Sequence, residues 1–243
     1  MLYLPPCMIG DSFPAFISVP FLSAEQCDEV HSAVMALRPV WTGRGHIRFN
    51  TLGAASYLDS PRGNSAYKDA AKAGNSILHA VFAPLLERVR LHVEETTQKP
   101  AFYDQERCAL PGFHIFVLDG SPFEEDDVSK RAHFDLQSHY LLSGQVPSAT
   151  LSFTLMITEP SGGASMEVWD LRYEELAGLA MTAVEYAARN PSRTLRYERG
   201  HLLVHDGLEL HAIGRALVKA PVGERITLQG HAALLPEGWL LYW

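Results

Sequence analysis

The stretch that decides the fold of this 243-residue chain is short and reads His133-Phe134-Asp135. In extended backbone, side chains two positions apart point to the same side, so His133 and Asp135 can reach one metal ion. A second histidine, His211, follows at the start of a later extended run. Two imidazoles and one carboxylate can occupy one face of an iron(II) ion and leave three coordination positions open. We therefore take His133, Asp135 and His211 as candidate metal ligands.

Predicted strands surround the second histidine. Residues 199–207 predict a turn, a short apolar strand and another turn, and residues 223–231 predict a turn that leads into a further strand. In this last strand Arg225 and Thr227 alternate with apolar residues, so the two side chains share one face. An arginine in such a position offers a fixed cationic fork that can bind a carboxylate.

His205 competes with His211 for the place of the second imidazole ligand. The chain has 11 histidines, and a His-x-Asp triplet by itself is a weak signal of a metal site. We favour His211 because it follows a turn at the start of a strand, where a ligand can face the interior of a barrel. His205 stays as the alternative.

These pieces, taken in order, resemble a known family. From about residue 113 to residue 231 the chain is similar to the catalytic core of the iron(II)- and 2-oxoglutarate-dependent dioxygenases, and the prolyl-hydroxylase-like branch is the nearest likeness. Residues 21–27 are similar to the lead-in helix of that branch. The matching pieces are His133-Phe134-Asp135, Glu159-Pro160-Ser161-Gly162-Gly163, His205-Asp206-Gly207, His211 and Gly223-Glu224-Arg225.

The resemblance implies a fold, a metal and a cosubstrate. The fold is an α+β double-stranded β-helix, or jelly roll, with flanking N-terminal helices. The cofactors are iron(II), 2-oxoglutarate and O₂. Arg225 pairs with the far carboxylate of 2-oxoglutarate, and Thr227 adds a hydroxyl group. From its place on the strand predicted over 112–118, His114 either points inward and hydrogen-bonds to the cosubstrate or is a satisfied core histidine. The gap between His211 and Arg225 is longer than the usual spacing, so Arg215 and Lys219 stay as rival carboxylate binders.

Composition restricts the partners and the compartment. The formal net charge of −8 argues against nucleic acid as a partner, because phosphate binding requires a basic face. The three cysteines form neither a metal spacing nor an even-numbered disulfide framework, which favours a reducing, cytoplasmic location. We expect no signal peptide and no membrane helix, since the N-terminus lacks a basic lead and no apolar run approaches the ~20 residues of a membrane span.

The chain is long enough for one domain. We predict a single domain over 1–243, with helical support and lead-in strands over 1–100 and the jelly-roll core over 101–243. Helices are expected from Ser23 to Leu37 and over 66–97, strands over 102–108, 112–118, 149–157 and 164–169, and a helical insert near 174–189. An acidic loop, 119–130, precedes His133 and is either a solvated surface or a lid. The apolar tail 239–243 either packs on its own barrel or forms a homodimer contact.

Three functions remain open at this stage. The first is an oxygenase that hydroxylates a small molecule, such as a free amino acid or a natural-product intermediate, and releases succinate and CO₂. The second is a protein hydroxylase of the prolyl type, and the third is a jelly-roll protein that binds a metal or ligand without turnover. Asp135 favours hydroxylation over halogenation, because related halogenases have Gly or Ala in its place. Desaturation and cyclisation stay open beside hydroxylation.

Overall fold

Two β-sheets and six helices make up the described part of the chain. The structure is a computed structural model that describes residues 16–45, 48–60, 64–121, 127–142, 146–214, 218 and 221–243. The helices are α1 (Ala24–Ala36), α2 (Ser56–Asp59), α3 (Asn64–Thr97), α4 (Ser138–Leu141), α5 (Tyr173–Leu176) and α6 (Ala183–Arg189). The strands are β1 (Ile17–Pro20), β2 (Thr42–Gly43), β3 (Phe49–Leu52), β4 (Ala101–Tyr103), β5 (Gly112–Asp119), β6 (Thr150–Thr158), β7 (Ser165–Arg172), β8 (Ser192–Arg196), β9 (His201–His205), β10 (Glu209–Ile213), β11 (Val222–Leu235) and β12 (Gly238–Tyr242).

The larger sheet has nine strands and the smaller sheet has three. The larger sheet runs in the order β1-β9-β6-β11-β5-β3-β2, and β12 pairs with both β11 and β4. The smaller sheet runs β10-β7-β8. The pairings are antiparallel apart from β12 with β4, which is parallel. The mixed helix and antiparallel-sheet layout expected from the sequence is therefore confirmed.

The long strand β11 gives the larger sheet two different faces. Ile226, Leu228, Ala232 and Leu234 belong to the main hydrophobic core, which is also filled by one face of α3. Arg225, Thr227, Gln229 and His231 occupy the alternate positions and point to the opposite face. The helical layer thus covers the apolar face, and the polar face is left for the site.

The helix α3 confirms the prediction over 66–97, but its buried stripe differs from the one expected. Strict steps of four placed Val81 on the packed face, and Val81 is 42% exposed. Steps of four drift around a helix of 3.6 residues per turn, so the core side takes steps of three and four instead. The buried side chains are those of Leu78, Phe82, Leu85, Leu86, Val89 and Val93.

The helix α1 begins as predicted. The Ser23 side chain accepts a hydrogen bond from the Gln26 backbone N–H, and the Gln26 side chain accepts one from the Ser23 N–H. This reciprocal pair is a capping box, which satisfies two backbone donors at the helix start. The helix then ends at Ala36, next to Leu37.

Two predicted elements were wrong in extent. The strand expected over 102–108 ends at Tyr103, because the Asp104 side chain accepts hydrogen bonds from the backbone N–H groups of Glu106 and Arg107 and forms a turn. The helical insert expected near 174–189 is two short helices, α5 and α6, with a new capping box formed by Thr182 and Glu185. Gly178 favours a break in the helix, and the N-cap at Thr182 then begins the new helix α6.

The apolar tail is an internal strand. Residues 238–242 form β12, and Trp239, Leu241 and Trp243 are each at most 3% exposed. The tail therefore packs within its own chain, and the homodimer contact stays a prediction. No helix in the described ranges is long and apolar enough to cross a membrane.

Candidate metal centre and its cavity

Backbone pairing brings the two halves of the predicted ligand set together. The His133 N–H donates to the His211 carbonyl oxygen at 2.9 Å, and the His211 N–H donates back to the His133 carbonyl oxygen at 3.0 Å. The Asp135 N–H donates to the Gly207 carbonyl oxygen at 2.8 Å. The segment around His133 therefore forms a short antiparallel bridge with β10, and residues distant in sequence become neighbours.

The three candidate ligands converge as the sequence predicted. His133, Asp135 and His211 each offer one ligand atom, and these atoms lie within 4.8 Å of one another. Asp135 Oδ2 is 3.4 Å from His211 Nε2, and Asp135 Oδ1 is 3.7 Å from His133 Nε2. The spacing suits three ligands around one ion rather than a simple ion pair.

The second ring nitrogen of each histidine fixes the orientation of the ring. His133 Nδ1 lies 2.7 Å from the Arg131 carbonyl oxygen, and His211 Nδ1 lies 2.8 Å from the Glu209 carbonyl oxygen. A carbonyl oxygen only accepts, so each Nδ1 carries the hydrogen and donates. The Nε2 atoms are thereby the ones that face Asp135 as metal donors, an arrangement typical of metal-bound histidines.

The electrostatics keep the carboxylate ionised. Burial alone would raise the pKa of Asp135, but His211, with His231 and His133, holds that pKa well below its ordinary value. Burial also opposes a charge on His211, yet the Asp135 carboxylate raises the pKa of His211. A metal ion binds only to the unprotonated Nε2 atom of His211, so metal binding competes with protonation of that ring. The Gln137 side-chain amide donates to Asp135 Oδ1 at 3.2 Å and orients that oxygen.

The backbone beside Asp135 requires a glycine. Gly207 has a φ of +78°, and a Cβ atom on it would come within 2.8 Å of Asp135 Cβ and 3.0 Å of Ser152 Oγ. Both the left-handed conformation and the close approach exclude a side chain. The turn between β9 and β10 can therefore pass directly behind the carboxylate.

Arg225 is a buried cation that packs against two aromatic rings. It is 7% exposed, and its Nε and Nη2 atoms have no hydrogen-bond partner among the described residues. Its Cζ atom lies 5.3 Å from the Tyr197 ring centre and 5.7 Å from the Phe116 ring centre. Burial lowers the pKa of Arg225. A desolvated guanidinium group with unsatisfied donors is costly without an anion, so the arrangement indicates an anionic ligand.

One cavity of about 690 Å³ joins these features. All three candidate ligands line it, together with the Phe116 and Tyr197 rings that hold the Arg225 side chain. Among the remaining lining residues are Phe49, Tyr57, Leu58, His114, Phe134, Ser152, Thr154, Met166, His205, Ile213, Gln229 and His231.

The other predicted site residues lie close to the places expected of them. Thr227 is buried and shares the Arg225 face of β11, where it pairs across the sheet with His114. His114 lines the cavity, but the Tyr57 hydroxyl group already contacts its Nε2 atom. Arg215 and Lys219, the rival carboxylate binders, lie outside the described residues, as does most of the acidic loop, 122–126.

His205, the rival metal ligand, has another partner. Its Nδ1 atom accepts a hydrogen bond from the Gly207 N–H at 3.1 Å, and its ring stacks on Phe16. Burial lowers the pKa of His205 to about 3, so its ring is neutral at neutral pH. The ring lies beside His211 and lines the cavity, but it is not part of the ligand cluster.

The cavity residues missed from the sequence include His231, Tyr57 and Tyr197. His231 continues the alternation of Arg225 and Thr227, and that parity could have found it. Its Nδ1 atom lies 2.9 Å from Ser152 Oγ and 4.0 Å from Asp135 Oδ2. Tyr57 and Tyr197 reach the cavity from α2 and from the end of β8, and no local pattern marks either of them.

The comparisons with known proteins bear on the fold. No family model matches this sequence, and no curated protein matches it. The chain is similar to the structure of an N-substituted L-amino acid dioxygenase from Burkholderia ambifaria AMMD in complex with α-ketoglutarate. The identity is 19%, 94% of this chain and 86% of that chain are covered, and the TM-score is 0.55.

A second structure of the same dioxygenase gives a similar result, with 17% identity over the same shares of the two chains and a TM-score of 0.53. At this level of identity the likeness establishes the fold. It confirms, for the fold, the resemblance to 2-oxoglutarate-dependent dioxygenases predicted from the sequence.

Proposed function

We propose that this chain is an iron(II)- and 2-oxoglutarate-dependent oxygenase that acts on a small molecule and releases succinate and CO₂. The observation that carries the proposal is a cavity that combines two features. The candidate ligands His133, Asp135 and His211 line it. The Phe116 and Tyr197 rings line it too, and they pack on the buried Arg225, whose Nε and Nη2 atoms have no hydrogen-bond partner among the described residues. When bound, iron(II), 2-oxoglutarate and O₂ would supply the oxidising chemistry.

Each protein group has a defined task in this proposal. His133, Asp135 and His211 hold the metal from one side, so the remaining coordination positions face the cavity. Arg225 and Thr227 bind the far carboxylate of 2-oxoglutarate, and the surrounding rings of Phe116 and Tyr197 strengthen that contact by excluding water. His114 stands next to Thr227 and borders the same ligand.

The proposal also covers the fold and the domain organisation of the chain. We infer that the two sheets form a double-stranded β-helix, with residues 1–243 as one domain and the site in its core over 101–243. The location of His211 on β10, in the smaller sheet, and of Arg225 on β11, in the larger sheet, supports that arrangement. The prolyl-hydroxylase-like branch and the cytoplasmic location remain predictions.

The substrate class follows from the cavity and from the fold neighbour. A volume of about 690 Å³ lies within the range of small-molecule sites, roughly 300–1,000 Å³. This supports a free amino acid, an N-substituted amino acid or a natural-product intermediate, and the fold neighbour acts on N-substituted L-amino acids. Asp135 supports hydroxylation rather than halogenation, since it fills the place that a halide would need.

The test measures succinate in the presence of iron(II), ascorbate and 2-oxoglutarate. Two substrate panels are compared, one of free L-amino acids and one of N-acetyl-L-amino acids. We expect one panel member to raise succinate formation above the rate without substrate, and we expect His133→Ala to abolish that increase. Purification with zinc, together with no consumption of 2-oxoglutarate under any condition, would favour a binding protein without turnover.

A further inference from the structure

Tyr57, which pairs with His114, is a polar residue of the cavity wall to which the proposed function assigns no task. Tyr57 lies on the single turn of α2 and is 36% exposed, and both residues line the cavity. The Tyr57 hydroxyl group lies within hydrogen-bonding distance of His114 Nε2. The other ring nitrogen, His114 Nδ1, is buried and has no hydrogen-bond partner among the described residues.

The hydrogen-bond partners available to His114 indicate whether Tyr57 or His114 is the donor in this pair. Burial keeps His114 neutral by lowering its pKa well below the ordinary value, so only one of its ring nitrogens carries a hydrogen. If that hydrogen were on Nδ1, a buried N–H donor would be left without a partner. Orphaned N–H donors are rarer in proteins than orphaned acceptors. The hydrogen therefore belongs on Nε2, which donates to the Tyr57 oxygen.

This assignment leaves the Tyr57 hydroxyl hydrogen free for a ligand. The phenol stays protonated, because burial raises the pKa of Tyr57 and the Asp135 carboxylate raises it further. Tyr57 lines the same cavity as the candidate ligands His133, Asp135 and His211. The free donor is thus available to a ligand that occupies this cavity.

A buried ion pair holds Tyr57 in this position. Arg44 makes a bidentate contact with Asp59, with Nη1 to Oδ1 at 2.6 Å and Nη2 to Oδ2 at 2.9 Å. Asp59 Oδ2 also accepts the Ala55 N–H at 2.9 Å, and Arg44 Nε donates to Thr51 Oγ1 at 2.8 Å. A one-turn helix has little stability of its own, so these bonds tie α2 to the strand segment β2–β3.

We propose that Tyr57 determines substrate specificity by donating a hydrogen bond to an acceptor oxygen, a carbonyl or carboxylate group, of the primary substrate. His114 positions the hydroxyl group from β5, and the Arg44–Asp59 pair positions it from α2. Apolar surface of the substrate would lie against Phe49 and Leu58, which line the same wall. This inference rests on the proposed function and names a recognition group for it.

The test separates primary substrate from cosubstrate by measuring binding rather than turnover. The protein is loaded with nickel(II), which binds without supporting oxidation, and 2-oxoglutarate affinity is measured by calorimetry. Binding of N-acetyl-L-amino acids, starting with N-acetyl-L-leucine, is then measured on the nickel and 2-oxoglutarate form. We expect Tyr57→Phe to bind the probe about 5- to 10-fold more weakly, the range for one lost neutral hydrogen bond, with unchanged affinity for 2-oxoglutarate.

Two further variants sharpen the result. Tyr186→Phe removes a hydroxyl group that donates to the Asp170 carbonyl oxygen instead, and it should leave both affinities unchanged. Arg44→Lys keeps the charge but loses the bidentate contact, and it should weaken probe binding in the same direction as Tyr57→Phe, again without loss of 2-oxoglutarate affinity.

Several outcomes overturn the inference. Equal probe affinity in Tyr57→Phe and the unaltered protein would do so. An equal loss of 2-oxoglutarate affinity would assign the hydroxyl group to the cosubstrate instead. Failure of the nickel and 2-oxoglutarate form to bind any N-acetyl-L-amino acid would overturn the acceptor assignment. Failure to bind nickel or 2-oxoglutarate at all would instead contradict the proposed function, and this inference with it.

Discussion

The two faces of strand β11 differ as much as any two regions of this molecule. One face contributes Ile226 and Leu228 to the main core and is fully buried by helices. The other carries Arg225 and Thr227, which are also buried but polar, and the Nε and Nη2 atoms of Arg225 have no hydrogen-bond partner within the described ranges. Burial of apolar surface stabilises the fold, whereas burial of unpaired polar groups opposes it. Because side chains alternate along β11, the residues that stabilise the fold lie on one face of the strand and the residues proposed to bind ligand lie on the other.

The largest expected effect concerns the candidate metal ligand His211. His211→Ala should lower iron(II) affinity by more than about 100-fold, beyond the roughly 10- to 100-fold typical of second-shell changes. His205→Ala, the matched variant, should lower it by less than about 10-fold, because His205 Nδ1 is already bonded to Gly207. Equilibrium dialysis with metal analysis measures both. The reverse ranking would make His205 the ligand and break the assignment.

Replacement of Arg225 tests how much the buried cation lowers the stability of the ligand-free protein. Arg225→Met should weaken 2-oxoglutarate binding by at least about 30-fold, since loss of one partner of a buried charge pair costs about 2–5 kcal/mol. The ligand-free protein should nonetheless melt about 2–4 °C higher, because an unpaired buried cation is removed. Calorimetry and thermal denaturation measure the two effects. A lower melting temperature with unchanged 2-oxoglutarate affinity would mean that Arg225 serves the fold alone.

The apolar face should show the opposite pattern. Leu228 is fully buried between the sheet and the helices. Leu228→Ala should lower the free energy of unfolding by about 2–5 kcal/mol while 2-oxoglutarate affinity of the folded protein stays within about twofold. Urea denaturation gives the first quantity and calorimetry the second. Coupled loss of stability and affinity would show that the two faces are not independent.

The smallest expected effect lies in the layer that covers the apolar face. Ser23→Ala removes the capping box of α1 and should cost about 1 kcal/mol of stability. Ser23→Asp, which can still cap the helix, should retain most of that stability. Both variants should keep the iron and 2-oxoglutarate affinities of the unaltered protein. A change in either affinity would mean that α1 influences the site, and it would contradict the separation of the two faces.

The sequence predicted those site features that depend on local geometry. His133 and Asp135 share a side because they lie two positions apart, and Arg225 and Thr227 do so for the same reason. The same rule, extended along β11, would have found Gln229 and His231. The start of α1 was equally predictable, because Ser23 and Gln26 are close in sequence.

Features that depend on distant contacts could not be predicted. Tyr57 meets His114 only because α2 is held by the Arg44–Asp59 pair, and nothing near Tyr57 in the sequence indicates this. Tyr197 reaches Arg225 only after β7 and β8 form their own sheet. The two short helices in place of the predicted insert are a different case, since the signal was present in Thr182 and Glu185.

The turn at Gly207 has a consequence for how this protein tolerates change. A screen of random variants for lost iron binding should return Gly207 alongside His133, Asp135 and His211, although glycine offers no atom to the metal. Even alanine would push against the Asp135 side chain from behind. We therefore expect a methyl group added at Gly207 to impair iron binding as loss of a ligand does, because only a hydrogen atom fits between the Gly207 backbone and the Asp135 side chain.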